Sequence, residues 1–560
     1  MQRLAILCSF NLDLIARPLA KAVAGVGLEA ELYLSGYGQW AAEALDPGSA
    51  LARFAPTAAV LFLDAEDVLP SLTEAGSLSP LGEARARGAA AFLGAEATIR
   101  ALLGRTTGPV LCHLLVAPPR TAVGLLEGGG YSHTAAIDAF NAALRDFSAT
   151  EPRLSLVPYD ALVGEHGWAR WHDRRMWHVG RMRLAAGSYP LLAALYARCL
   201  GALLTPRRKC LVLDLDNTLW GGVLGEDGLG GIQLGHSGVG LAFREFQMAI
   251  LALSRRGILL AAASKNNLAD AVEALRDHPD MVLRPEHFAC LEINWSDKPE
   301  SLRRVAQRLN IGLDSLVFWD DSPLERGMVG SQLPEVLVPE VPADPSDYAA
   351  FLLAMPCFDV LRLTAEDQAR GQMYREQVAR DAFLDAAAPT TLDSYFASLE
   401  MVVAFEAATP ASIPRIAQLT QRTNQLNLTT RRYTEAEVAA WAGDPTSRVL
   451  GLSLRDRFGD LGLVGAAMMR ERALDWELDT FLMSCRALGR RVEEAFAAHL
   501  ASLAGETGKP LRGVFVPTRK NQPTREFLER HGLLAPGPAE AQPIEVTGVG
   551  TPPWLRVVVS

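Results

Sequence analysis

The sequence predicts an α/β chain of several domains around a central, doubly wound parallel sheet. Short, continuously apolar runs such as Cys210-Leu-Val-Leu213 and Leu316-Val-Phe-Trp319 recur, as in strands buried on both faces rather than alternating ones. Helix-period segments separate these runs, the pattern of strand–helix–strand units. Acidic, hydroxyl and lysine side chains stand where the runs end, which is where open α/β sheets carry their sites. At 560 residues the chain exceeds a single core, and at roughly 150 residues per domain three or four are expected.

The elements follow in order. Residues 1–205 form a first α/β domain, with strands at Leu4–Leu7, Ala58–Leu63 and Pro109–Val116, and Thr205-Pro-Arg-Arg-Lys209 breaks the pattern. A second domain, 206–345, opens with the Cys210 strand. A helix over Leu241–Arg256 stops at Gly257 with two arginines in its last turn, as helix ends prefer. Ile258–Ala263 is the next strand, ending in Ser264; Lys298 opens a helix; Leu316–Trp319 ends in Asp320-Asp321-Ser322-Pro323. Residues 346–395, with AEDQARGQMYREQVARDAF, read as a helical linker. A third domain, 396–560, has strands at Met401–Phe405, Val449–Ser453, Leu463–Met469 and Trp476–Met483, a helix beginning near Arg486, and a loop at APGPAEAQP.

Bulk properties exclude several classes. A net charge of −10 is wrong for a general nucleic-acid binder. Seven cysteines without regular spacing are not a disulfide framework. The N-terminus is too broken by polar residues for a signal peptide, and no run of about 20 apolar residues suggests a membrane span. A soluble, reducing, cytoplasmic protein is expected, with neither nucleic acid nor membrane as partner.

Asp214 and Asp216 flank Leu215 at a strand end and would repel each other without a cation between them. A magnesium ion, which takes oxygen ligands and tolerates phosphate as co-ligand, suits them. Asp214 is the expected nucleophile, forming an aspartyl-phosphate. Asp216 is the expected general acid and base. Ser264 and Lys298, with Thr218 in the turn, are expected to bind phosphoryl oxygens. Asp320 and Asp321 complete the magnesium set of Asp214 and Asp216. An isolated D-x-D reads equally well as a turn; the ordered series at successive strand ends favours chemistry.

DLDNT, Ser264, Lys298 and WDDSP resemble the four motifs of the haloacid-dehalogenase (HAD) superfamily. KCLVLDLDNTLWGGVLGEDG, SKNN, WSDKPESL and FWDDSPLER resemble the FkbH-like family more narrowly. The likeness continues through TQRTNQLNLTTRRY, LRDRFGDLGLVG and FLMSCRALGRRVEEAF, covering residues 205–530. It implies a HAD-like middle domain, without a large cap because the stretch between Thr218 and Ser264 is short. It also implies the family's activity: loading a glyceryl unit from 1,3-bisphosphoglycerate onto a phosphopantetheinylated acyl carrier protein in polyketide biosynthesis, with Mg2+ as cofactor. The turn from Arg486 through Gly489 to Arg491 resembles the R-x-x-G-x-G/A turn of GNAT-like acetyltransferases, where helix-start amides hold a phosphate. Arg491 stands at the last Gly/Ala position, and these three residues are the expected pantetheine-binding set. Cys485, before that helix start and beside Arg486, is the expected acyl-carrying thiol; the other six cysteines read as core. The first domain resembles SGNH hydrolases, but CSFNLD at Ser9 lacks their GDS pattern and Asp173 and His178 lack their D-x-x-H spacing, so a docking or structural role is expected. Two other readings are a magnesium-dependent small-molecule phosphatase and a non-catalytic carrier-docking module.

Overall fold

The apolar runs become sheet centres in a computed structural model that describes residues 1–70, 79–205, 207–363, 392–423, 426–484, 487, 490–518, 521–534 and 541–559. In the first unit, Met1–Arg207 with Pro356–Leu363, β1 (Gln2–Cys8), β2 (Ala30–Leu34), β3 (Ala58–Phe62), β4 (Val110–His113) and β5 (Leu154–Val157) form a parallel sheet in the order β2-β1-β3-β4-β5. β1, β3 and β4 match the expected strands. β2 and β5 were not anticipated; β2, an edge strand, is only half-buried and lacks an apolar run.

The second unit, Arg208–Met355 with Thr364–Ser560, contains two further sheets. β6 (Cys210–Leu213), β7 (Leu259–Ser264), β8 (Cys290–Ile293) and β9 (Leu316–Trp319) are parallel in the order β8-β7-β6-β9. Leu213 is level with Ala262 and with Trp319, so Asp214, Ser264 and Asp320 emerge from one edge. The helix Gly238–Arg255 lies across this sheet with Phe246 against Trp319 and Tyr348. Fully buried Gln247 ties it to the turn after β6, donating to the Leu219 carbonyl at 2.7 Å and accepting from Val282 and Leu283 amides. Between Thr218 and β7 the only other helix is Leu224–Asp227, so no cap domain is inserted there.

The expected linker 346–395 is divided. Tyr348–Ala354 is a helix of the middle domain, its Tyr348 ring edge-on to Trp319. Pro356–Leu363 returns to the first unit, where Asp359 pairs bidentately with Arg198, Arg362 caps the Glu151 carbonyl at 2.7 Å and Phe358 is buried. Residues 364–391 lie outside the described residues.

The third sheet contains β10 (Val402–Ala407), β11 (Leu426–Asn427), β12 (Ser447–Asp456), β13 (Gly459–Glu471), β14 (Trp476–Met483), β15 (Leu511–Phe515), β16 (Gln542–Glu545) and β17 (Arg556–Val559), in the order β16-β15-β14-β13-β12-β10-β17. β16 takes part of the stretch expected as loop. β14 and β15 run parallel and pair only over Trp476–Leu478, then part; β11 pairs antiparallel with β14 at Leu482 and Met483. The fold class is thus α/β and multidomain, with parallel sheets in the first and middle domains and a mixed sheet in the third.

Candidate active site

β6 and β9 present their last residues side by side, with the Asp214 amide donating to the Trp319 carbonyl at 2.9 Å. Carboxylate oxygens of Asp214, Asp320 and Asp321 then lie within 4.8 Å of one another. Lys298, delivered by the start of the helix Lys298–Arg308, places its Nζ 2.6 Å from Asp214 Oδ1, 2.9 Å from Asp320 Oδ2 and 2.7 Å from the Ala263 carbonyl. Burial alone would lower the lysine pKa; the two carboxylates outweigh it and raise it. Burial, then Asp320 and Asp214, pushes Asp321 up to about 6; burial and Asp214 raise Asp320. Lys298 and Asp320 are enclosed, whereas Asp214 keeps 13% of its side-chain surface, so Asp214 can be reached from outside. Of the ammonium's three donors, two bond Asp214 and the Ala263 carbonyl, and the group faces Asp320 as an ion pair.

The backbone behind the acids is braced. Ser322 N–H donates to Asp320 Oδ1 at 2.9 Å, and Ser322 with Pro323 starts the helix Pro323–Gln332. Arg326 from that helix donates Nη1 to the carbonyls of Asp320 and Asp321, both at 2.8 Å. Three hard oxygen ligands, two of them on a braced loop, fit a magnesium ion, which needs few protein carboxylates.

Asp216 departs from the expected metal set: it is absent from the three-carboxylate cluster. Its Oδ1 accepts from Trp220 Nε1 at 2.9 Å and Leu224 N at 3.0 Å, and Oδ2 accepts from Asn266 Nδ2 at 2.8 Å. Those bonds leave one open lone pair on Oδ2, as an oriented general acid requires. Thr218 also departs from expectation: it is fully buried and its hydroxyl has neither a partner nor surface, so it cannot meet phosphate as placed. Ser264 ends β7 at the expected position. Trp220, Asn266 and Arg326 were missed as site residues, although all three lie in the quoted motifs. SKNN is now legible in full: Lys265 pairs with Glu325 at 2.6 Å, Asn266 holds Asp216, and Asn267 caps the helix Leu268–Asp277.

In the third domain Cys485, Arg486 and Gly489 lie outside the described residues. The helix after β14 begins at Val492, not near Arg486. Arg491 precedes this helix with φ +61°, a conformation glycine favours. Its guanidinium forks onto buried Glu494 at 2.7 and 2.9 Å, so the expected phosphate contact would compete with that pair. Arg490 is buried against Asp456 at 3.1 Å. Burial pushes the Cys210 thiol well above its ordinary range, consistent with a core role. In the first domain Asp173 caps the helix Arg174–Gly180 through Met176 N, and the Ser9 hydroxyl donates to Asp67.

Solved structures can be set beside this geometry. The N-terminal part of protein BF1531 from Bacteroides fragilis, containing a phosphatase domain and complexed with Mg, is 30% identical; the match covers 64% of this chain and 94% of that one, with a TM-score of 0.57. The chain belongs to the BF1531 family. The ribosomal-protein-S18-alanine N-acetyltransferase from Escherichia coli matches 26% of this chain and 96% of its own at 11% identity and a TM-score of 0.20. The lipase Lip_vut3 from a goat rumen metagenome matches 36% and 98% at 12% identity and a TM-score of 0.27. Those two similarities are too low to carry an argument. No protein-family model and no curated protein matches the chain. Among the described residues, no helix is long and apolar enough to cross a membrane.

Proposed function

We propose that this BF1531-family chain is a magnesium-dependent phosphohydrolase working through an aspartyl-phosphate. The observation that carries the reading is the convergence of Asp214, Asp320 and Asp321 around Lys298, with Asp216 separately pinned beside them. A magnesium ion held by the three carboxylates would offset charge on the phosphoryl oxygens. An Asp214 oxygen attacks phosphorus and the bond to the alcohol oxygen breaks, that oxygen taking a proton from Asp216. Water then attacks the aspartyl-phosphate, gives its proton to Asp216 and releases phosphate, restoring Asp214. Magnesium-dependent phosphate release by the full chain, lost in Asp214→Asn, tests this; equal release without magnesium refutes it.

The FkbH resemblance supports a finer reading. A thiol, assigned to Cys485, attacks the acyl phosphate of 1,3-bisphosphoglycerate and expels phosphate, leaving a phosphoglyceryl thioester. The Asp214 site removes the remaining phosphate, and the glyceryl group passes to the phosphopantetheine thiol of an acyl carrier protein in the cytoplasm. Mass spectrometry of the intact protein, incubated with a mixture generating the bisphosphate, should find a hydroxylamine-labile adduct. It should be phosphorylated in Asp214→Asn and missing in Cys485→Ser. Phosphate release without any adduct leaves the small-molecule phosphatase; neither leaves the docking module.

A further inference from the structure

In the middle sheet β6, β9 and, up to its last residue Ser264, β7 are apolar throughout. β8, at the sheet edge, instead carries Glu292 in its middle, with only 4% of the side chain exposed. Successive strand residues alternate between faces, so Glu292 shares a face with Cys290, and Cys290 belongs to one core with Leu302 and Val305 of the helix Lys298–Arg308. The carboxylate therefore stands on the side of the helix that delivers Lys298. Its Oε2 accepts from Arg304 Nε at 2.8 Å, and its Oε1 pairs with Arg308, one helical turn further on, at 2.9 Å. Asn294 carries the network into the turn before the helix: its Nδ2 donates to Glu292 Oε2 at 3.2 Å, and its Oδ1 accepts from Ser296 N at 2.9 Å and from Arg304 Nη2 at 3.2 Å. One buried carboxylate thus joins the strand, the turn and the helix whose first residue is Lys298.

Stability alone gives little reason for a charge at this place. Taking a carboxylate out of water is costly even when it is paired, and a well-packed apolar side chain is often as stable. Position gives a better reason. Lys298 carries its charge on a flexible four-carbon stem, yet its Nζ lies within 2.6–2.9 Å of Asp214, the Ala263 carbonyl and Asp320. Apolar packing is non-directional, so Leu302 and Val305 hold the helix onto the sheet without fixing its slide along β8. Bonds from two arginines a turn apart to one carboxylate do fix it. Arg304 lies about 9 Å along the helix axis from Lys298, so a shift at the one is passed on to the other.

We propose that Glu292, acting through Arg304 and Arg308, is a positioning residue that sets where the Lys298 ammonium lies. The proposal rests on the phosphohydrolase reading above, which gives Lys298 its work. Its test is a double-mutant cycle on the full chain with magnesium and p-nitrophenyl phosphate. Arg304 and Arg308 are 30% and 58% exposed and can turn to water, so Glu292→Leu should fold, and it should lower kcat at least about 10-fold. Added to Lys298→Met it should change kcat by less than about twofold, because no ammonium is left to place. Arg304→Met cuts the same network more mildly. It should cost about 3-fold, again only where Lys298 is present, and it decides the question if Glu292→Leu does not fold. Calorimetric titration with orthovanadate and magnesium should repeat the pattern: weaker binding in Glu292→Leu, equal binding in Lys298→Met and the double variant. That titration decides where Lys298→Met turns over too slowly to follow. Equal losses with and without Lys298, or a lower melting temperature with kcat unchanged, would make Glu292 structural and overturn the assignment while leaving the phosphohydrolase intact. A wild-type chain that releases no phosphate overturns the reading beneath it as well.

Discussion

Where β3 ends in the first domain, Asp64, Glu66 and Asp67 gather on Arg183, much as Asp214, Asp320 and Asp321 gather on Lys298 where β6 and β9 end. Both clusters follow strands of parallel sheets, both set three carboxylates against one cation, and burial pushes one acid in each, Asp64 and Asp321, up to about 6. The cations differ. Arg183 lies over the Trp177 ring at 3.5 Å and spreads a planar fork across its acids, 3.1 Å from Asp64 and 3.6 Å from Asp67. An ammonium is a compact point charge, and beside Lys298 the three carboxylates still converge closely enough to share a metal ion. Acidity and burial are thus common to the two clusters; the shape of the cation and the convergence of the oxygens are what differ.

The comparison breaks most visibly at Asp214. Asp214→Asn keeps the shape and removes the nucleophile, so phosphate release should fall at least about 10³-fold with the melting temperature little changed. A variant retaining a tenth of wild-type turnover would place the nucleophile elsewhere.

The first-domain cluster should answer to pH instead. Asp64 has its pKa raised from 3.8 to about 6, chiefly by burial against the pull of Arg183. A raised value means the folded state holds its proton longer than the unfolded chain. The associated stability is full below pH 3.8 and is lost as pH rises through about 6. The loss is on the order of 3 kcal/mol at most. Calorimetric melts between pH 4 and 7 should show the first domain weakening as pH rises, and Asp64→Asn should flatten that slope. A slope unchanged in the variant would assign the titration to another group.

Within the middle site, Asp216 and its holder can be separated. Asp216→Asn should slow phosphate release roughly 10²-fold, the usual worth of a general acid and base. Asn266→Ala touches no substrate atom. It removes the 2.8 Å bond that orients Asp216, so a loss of roughly 10-fold, with a displaced pH–rate profile, is expected. A purely structural Asn266 would lower stability and leave that profile in place.

What was legible in the sequence follows from how local each cause is. Cys210–Leu213, Leu316–Trp319 and Trp476–Met483 have the same bounds in the structure as in the sequence reading; in the first two, a continuous apolar run flanked by polar residues leaves little choice of ends. β2 and β8 were missed, one half-buried and the other with a glutamate, Glu292, in its middle. At the site, the residues to which chemistry is assigned were readable from strand-end position, but their holders were not. Asn266 reaches Asp216 from 50 positions away and Arg326 grips its own loop from the next helix, contacts that neither composition nor spacing encodes. Thr218 misled because a hydroxyl in a phosphate motif reads as a ligand, and only the packing reveals that it is enclosed. The start of the helix after β14 misled because Arg491 adopts a left-handed conformation where a continuing helix would otherwise be read.

The smallest expected effect sharpens the comparison most. Ser9 stands at the end of β1, where the SGNH resemblance would put a nucleophile, and it is buried to 3%. A serine nucleophile needs a base to take its proton. The Ser9 hydroxyl instead donates to Asp67 at 2.8 Å and accepts from the Asp64 amide at 2.9 Å, so it completes the Arg183 cluster. His113, whose pKa burial lowers to about 3, is stacked on Phe62 with both ring nitrogens enclosed and unpartnered, so it activates no hydroxyl. Ser9→Ala should therefore cost the first domain about 1 kcal/mol for its lost hydrogen bonds. It should leave magnesium-dependent phosphate release within about twofold of wild type, since surface and core changes away from a site act through stability alone. The matched measurements are a melt of the full chain and a phosphate-release assay on the same preparation. Loss of phosphate release in a protein that still melts normally would make the first domain a working part of the site, and the contrast between the arginine-held and lysine-held clusters would fall with it.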